Sequence, residues 1–323
     1  MRTFLRITAL SAIVSSPFAE PLHAQQPAGA TAAPQRAVLV TGASSGIGLK
    51  IATLLASQGH FVYAGARKPE DIAMLSKMRN MQGVRLDVTV ASDIAAAVET
   101  VRKGGRGLHG VVNNAGIAIL SPLIQTDERE MASILDVNVS GPYRVTKAFA
   151  PMLIEAKGRV VTVSSISGIL SGSFFGPYSM SKHAMEAFGD ALDAEMAPLG
   201  VRSSLIEPGN FRSDIGRSTK GQVELAAARA VGTPFEAQMK RLVTVMDNYE
   251  SYPEPDAVAD AASHALFSDA PKRRYMVVSN AREADVTINK AIEELVQLNQ
   301  AHKFSYGRDV LVRKLDSALA RIR

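Results

Sequence analysis

The chain has 323 residues, 46% hydrophobic and 21% charged, with a formal charge of +5 at pH 7 and neither cysteine nor tryptophan. These proportions suit a globular chain of one or two domains rather than a disordered or fibrous one. The missing cysteines exclude a disulfide scaffold, a thiolate nucleophile and thiolate-held metals. The small, dispersed positive excess lacks the dense basic run that a nucleic-acid surface needs.

Residues 1–35 differ from the rest. Arg2 and Arg6 precede an apolar stretch, and Ala24 stands at a plausible cleavage point. This order reads as a secretory leader followed by a linker, and the apolar stretch is too short to span a bilayer. The same residues also fit an unstructured leader.

Beyond Gln35, short β-branched runs alternate with helical patterns. Strands are expected at Ala37–Val40, 61–64, 84–88, 110–112, 160–163, 201–206 and 275–278. Helices are expected at 47–58, 93–101, 128–154, 179–196 and Asp256–Phe267. Apolar strands separated by helices predict an α/β fold with a doubly wound parallel sheet of about seven strands, covered on both faces. Ligands of such sheets bind beyond the carboxyl ends of the strands. Residues 211–250 break the alternation and read as a lid. From about 281 to 323 the pattern is again helical, which suits a surface helix or a subunit contact.

The first strand runs into Thr41-Gly42-Ala43-Ser44-Ser45-Gly46-Ile47-Gly48 and then a helix. Glycines at 42, 46 and 48 permit a tight turn, and the helix N-terminus offers free N–H groups to a phosphate. A plain tight turn is the competing reading. At the end of the second strand, Arg67 and Lys68 stand where an acidic residue would bind a ribose diol. A guanidinium there suits a 2′-phosphate and therefore NADP(H) over NAD. The six histidines form no ligand-spaced cluster, so no metal site is expected.

Tyr178 and Lys182 lie four residues apart on one helical face, and Ser165 ends a strand thirteen residues before the tyrosine. A tyrosine with a pKa near 10 needs a nearby cation to act as a base at neutral pH. Serine can hold the substrate oxygen while the phenol moves the proton. A one-residue shift of the strand would put Ser164 in that place. A second pair, Tyr143 and Lys147, lacks a companion serine and reads as helix packing. His183 points away from Lys182, and His109 reads as chemically idle.

Together these pieces resemble the short-chain dehydrogenase/reductase family over about residues 36–280. The matching segments are Thr41-Gly42-x-x-x-Gly46-x-Gly48, Leu86-Asp87-Val88, Asn113-Asn114-Ala115-Gly116, Asn138, Ser165, Tyr178-x-x-x-Lys182 and Pro208-Gly209. The resemblance implies a single three-layer Rossmann-like domain, assembled as a homodimer or homotetramer. It implies catalysis by Asn138, Ser165, Tyr178 and Lys182. It implies a cofactor held by Gly42, Ser44, Ser45, Gly46, Ile47, Gly48, Arg67, Asp87, Asn114, Ala115, Gly116, Tyr178, Lys182, Pro208 and Gly209. Asp87 would reach the adenine, and Asn138 would kink its helix and hold a water beside Lys182. Each also has a plainer reading, such as Asp87 capping the next turn.

Gly65-Ala66-Arg67, the 181–188 segment and Glu207-Pro208-Gly209-Asn210-Phe211 look like the 17β-hydroxysteroid and retinol dehydrogenase branch. That points to a small lipophilic carbonyl or alcohol, with a 3-oxoacyl reductase or a non-catalytic NADP(H) sensor as the alternatives. An enzyme dependent on reduced cofactor is expected in the cytoplasm, or outside it if the leader is cleaved near Ala24.

Overall fold

A run of four buried residues, Ala37–Val40, forms the first strand (β1) and sits near the middle of the sheet. The computed structural model describes residues 35–322 apart from 248 and 301, so the expected leader lies outside the described residues. Seven strands pair in parallel in the order β3-β2-β1-β4-β5-β6-β7. They are β1, β2 (Phe61–Ala66), β3 (Met81–Arg85), β4 (Gly110–Asn113), β5 (Arg159–Val163), β6 (Arg202–Pro208) and β7 (Arg274–Val277).

Successive side chains of a strand face opposite sides of a sheet. Val38 and Val40 accordingly join the core beneath α1 (Gly46–Ser57), α2 (Pro69–Ser76) and α9 (Asp256–Phe267). Leu39 joins the opposite core, with α3 (Ala91–Lys103) and α5 (Gly141–Glu155). Phe149 on α5 is fully buried there, and truncating such a ring to alanine costs about 3–5 kcal/mol. The result is a three-layer Rossmann-like α/β domain. Strand order reverses between β1 and β4, which opens a crevice at their carboxyl ends.

The third strand ends three residues earlier than expected. Leu86 and Val88 are buried as a loop against the sheet end, so their apolarity imitates a strand. The helix expected at 128–154 is broken into α4 (Glu128–Leu135) and α5 by a π turn at Asp136–Ser140. Helix α2 was not expected. Its signals are Pro69 at the first turn, the acidic Glu70 and Asp71 beside it, and a buried Leu75. The 211–250 segment folds into α7 (Asp214–Arg229) and α8 (Glu236–Met246). Residues beyond 280 form α10 (Ala281–Leu298) and α11 (Arg308–Ile322). Among the described residues no helix is long and apolar enough to cross a membrane.

Candidate active site

The crevice beyond β1 and β4 is a cleft of about 590 Å³. One hydroxyl organises its floor. Thr41 Oγ1 accepts from the backbone N–H groups of Asn114 and Ala115, each at 3.0 Å. In return Asn114 Nδ2 donates to the carbonyls of Thr41 and Gly42 at 3.0 and 3.1 Å. The loop after β1 is thereby sewn to the loop after β4. Gly42 takes φ +64°, and Gly48 has no room for a Cβ against Gly42 O and the Asn114 amide. This close turn delivers the N-terminus of α1 to the cleft, with its unpaired N–H groups available to an anion. The loop therefore fits a pyrophosphate by its shape as well as its composition.

Of the expected cofactor residues, Gly42, Ser44, Ser45, Gly46, Ile47, Gly48, Arg67, Asp87, Asn114, Ala115, Gly116, Pro208 and Gly209 all line this cleft. Asp87 Oδ1 accepts from the Thr89 backbone at 2.9 Å and from its hydroxyl at 2.7 Å, so the turn-capping role is present as well. Partial burial opposes the charge of Asp87. The Thr89 bonds, with Arg67 and Arg85 nearby, overcome that and hold its carboxyl below the usual range.

Tyr178 and Lys182 sit in the first two turns of α6 (Gly176–Met196), and Ser165 follows β5. All three line the same cleft. Burial raises the Tyr178 phenol, with the Ser165 hydroxyl alongside pulling the other way. Lys182 is buried and lowered to about 8, with Glu186 opposing that shift. Its Nζ donates to Val163 O at 2.9 Å and lies 5.6 Å from the centre of the Tyr178 ring. The expectation that the lysine lowers the phenol is therefore not met in this geometry. Desolvation is larger, and the ammonium is turned to a backbone carbonyl. Ser165 Oγ accepts from Ser167 N at 3.1 Å, whereas the buried Ser164 hydroxyl has no partner.

Asn138 lies in the π turn with its side chain buried. Its amide brackets Ile117, accepting from N and donating to O at 2.8 Å each, and it donates to Ser181 Oγ at 3.0 Å. It thus ties the loop after β4 to α6. Tyr143 is 52% exposed, not packed as expected, and Lys147 donates to it at 3.4 Å on the surface of α5. His183 Nδ1 lies 2.9 Å from Ser179 O, within its own helix. His109 packs beside Phe267, its Nε2 2.8 Å from Leu266 O.

Residues 36–224 match the family described as short chain dehydrogenase. The chain belongs to that family. Short-chain dehydrogenases are oxidoreductases that use a nicotinamide cofactor. The chain is 36% identical to the oxidoreductase YbbO of Escherichia coli over 245 residues, 75% of this chain and 86% of that protein. It is 34% identical to the mitochondrial D-beta-hydroxybutyrate dehydrogenase of rat (76% of this chain, 78% of that protein). It is also 34% identical to mouse retinol dehydrogenase 5 (74% and 79%). A short-chain dehydrogenase structure from Streptomyces avermitilis has a TM-score of 0.70 at 27% identity, covering 83% of this chain and 96% of that one.

Two features of this short-chain dehydrogenase escaped the sequence reading. Glu283, in the first turn of α10, is buried against Gly209. Its Oε1 accepts from Asn210 N and Nδ2 at 3.2 and 2.7 Å, and its Oε2 from Ser279 N and Oγ at 3.0 and 3.2 Å. It fastens the loop after β6 to the C-terminal helices. No local signal marks it, because its partners lie 73 positions away or in an unremarkable turn. The second is a pair of carboxylates, one on α6 and one on β6. Glu186 Oε2 and Glu207 Oε1 converge on Arg274 Nε, at 3.1 and 3.2 Å. Burial and the neighbouring Glu186 push Glu207 up to about 8, with Arg274 opposing.

Proposed function

We propose that this short-chain dehydrogenase reduces a bulky apolar ketone, or oxidises the matching secondary alcohol, with NADP(H). The observation that carries the reading is the convergence of Ser165, Tyr178 and Lys182 beside the glycine loop in one cleft. The cofactor, when bound, supplies or accepts the hydride. Gly42 to Gly48 would hold its pyrophosphate, Asp87 its adenine, and Lys182 its nicotinamide ribose, with Pro208 and Gly209 beside the ring.

A phenol raised by burial keeps its proton at neutral pH. Tyr178 Oη can therefore donate to a carbonyl oxygen when the reaction runs as a reduction. Ser165 Oγ holds the same oxygen, and Lys182 supplies a cation that stabilises the phenolate left when Tyr178 gives up its proton. Asn138 sits at the helix break, where it would hold a water beside Lys182.

The preference for NADP(H) rests on Arg67. It is exposed on the cleft wall and forms no ion pair among the described residues, so its guanidinium is available for a 2′-phosphate. The substrate class rests on the far half of the cleft. Leu120, Phe175, Phe211, Leu242 and Met246 line it, and α7 and α8 cover it as a lid. Among the described side chains that line the cleft, the charged ones, Arg67, Asp87 and Lys182, stand on the cofactor half or at the reacting centre, and the lid half is lined by apolar groups, which suits an apolar substrate better than the hydroxy acid named for the rat relative.

Purified protein should oxidise NADPH with lipophilic ketones. Tyr178→Phe should lower kcat by at least about 100-fold while NADPH still binds, the range expected for losing a positioned proton donor. Full activity of the Phe variant would overturn the mechanism. Equal affinity of the parent protein for NADH and NADPH would overturn the cofactor preference.

A further inference from the structure

Among the described residues, half of the exposed large hydrophobic side chains, eleven of twenty-two, fall between residues 286 and 319. They are not scattered. On α10, Ile288, Ile292, Leu295 and Leu298 recur at steps of three and four, which puts them on one stripe. On α11, Val312, Leu315 and Leu319 do the same. All seven are between 40% and 76% exposed. Neither helix covers the stripe of the other. No residue of α11 whose burial is described is fully buried, while α10 is fixed to the body mainly through its first two turns by buried Glu283 and Thr287. A contiguous apolar surface of this kind marks a contact site rather than ordinary surface variation.

The charges decide what covers it. On its surface, helix α10 carries Arg282 and Lys290 against Asp285, Glu293 and Glu294, a net of −1, with Glu283 buried beneath. Helix α11 carries Arg308, Arg313, Lys314 and Arg321 against Asp309 and Asp316, a net of +2. An anionic bilayer would attract one helix and repel the other. A second copy of the chain, turned by a two-fold axis, presents each helix with its opposite: acidic α10 against basic α11, twice over. The 18 residues of α10 and 15 of α11 also supply the roughly 20–30 residues a side of a standard interface.

We propose that α10 and α11 form a subunit interface, in which the apolar stripe of α10 in one protomer packs on α11 of its partner.

Sedimentation velocity on the full chain tests it. The protein should sediment as a dimer or a multiple of one. Leu295→Glu and Leu315→Glu should each weaken association by about tenfold or more, while the thermal transition stays cooperative and NADPH binding is retained. Glu293→Lys with Glu294→Lys should weaken association as well. Adding Arg313→Glu and Lys314→Glu to that variant should restore it, because the reversed charges then face each other across the two-fold axis. A monomeric parent protein, or an assembly whose mass ignores all these variants, overturns the proposal. Failure of the second charge pair to restore association overturns the α10-on-α11 pairing. A monomer that co-sediments with phosphatidylcholine–phosphatidylglycerol vesicles would assign the stripe to a membrane and would equally overturn it.

Discussion

Replacing Glu207 by glutamine should make this protein more stable, and more so as the pH rises. Glu207 is 3% exposed and shares Arg274 with the partly buried Glu186, so two carboxylates face one guanidinium. Lys182 faces Glu186 along α6, and Asp190 takes the other end of Arg274 at 2.7 Å. The folded protein therefore keeps a proton on Glu207 up to about pH 8, whereas the unfolded chain loses it near 4.5. Between those values the folded state holds the extra proton. Stability from this group therefore falls as pH rises, and levels off above pH 8. From pH 6 to pH 8 the linkage amounts to about 2 kcal/mol, or roughly 4–6 °C in Tm for a chain of this size. Glutamine keeps the shape and an N–H donor towards Glu186 but has no proton to lose. Differential scanning calorimetry of both proteins across pH 5.5–8.5 measures the effect. The variant's advantage should widen by about 3 kcal/mol over that span. Parallel Tm curves, or a variant less stable at pH 8, would refute a proton held on Glu207.

Gly48→Ala drives a methyl group into Gly42 O and the Asn114 amide, which should cost about 1–3 kcal/mol of stability. It should also weaken NADPH binding by fluorescence titration; unchanged affinity would remove the glycine loop from the cofactor site. Glu283→Ala leaves four donors of Asn210 and Ser279 without their acceptor, and should lower kcat/KM by about tenfold through a displaced loop. Glu283→Gln should recover part of that loss, since its amide oxygen still accepts; no recovery, with normal folding, would argue against loop positioning. Burial and nearby arginines, Arg36 above all, lower the pKa values of His60 and His109, whose rings flank Phe267. Such histidines leave stability untouched above pH 6.5 and reduce it as pH falls below that value, because the unfolded chain takes up the proton first. Chemical denaturation at pH 7.5 and 5.5 should show this loss in the parent and less of it in His109→Gln.

The sheet was legible because its central strands are buried on both faces and so read as apolar runs, as Ala37–Val40 does throughout and 160–163 does apart from Thr162. The cleft was legible because a glycine loop, a serine at a strand end and a Tyr-x-x-x-Lys pair depend on local spacing. Where burial occurs without a strand, sequence pattern misleads: Leu86 and Val88 are apolar because they plug the sheet end. Helical periodicity likewise runs through Asn138 unchanged, because a π turn adds a backbone hydrogen-bond shift without altering the residue types on either side. Tyr143 reads as packing because it lacks a companion serine, yet its ring lies on the surface with Lys147. The acid pair and Glu283 are contacts made across 21 and 73 positions, where neither residue has a neighbour in sequence that betrays its partner.

Glu283 and β7 lie beyond residue 224, where the family match ends. A chimaera or trimmed fragment cut at that point would keep Gly42, Tyr178 and Lys182 and appear complete by its motifs. It would nevertheless leave Asn210 without its acceptor and turn β6 into a bare edge, with the apolar Leu205 and Ile206 behind unpaired N–H and C=O groups. Such an edge recruits strands from other chains. Aggregation rather than weak catalysis would be the outcome, so any exchange of domains in this enzyme has to carry the sequence through the first turn of α10.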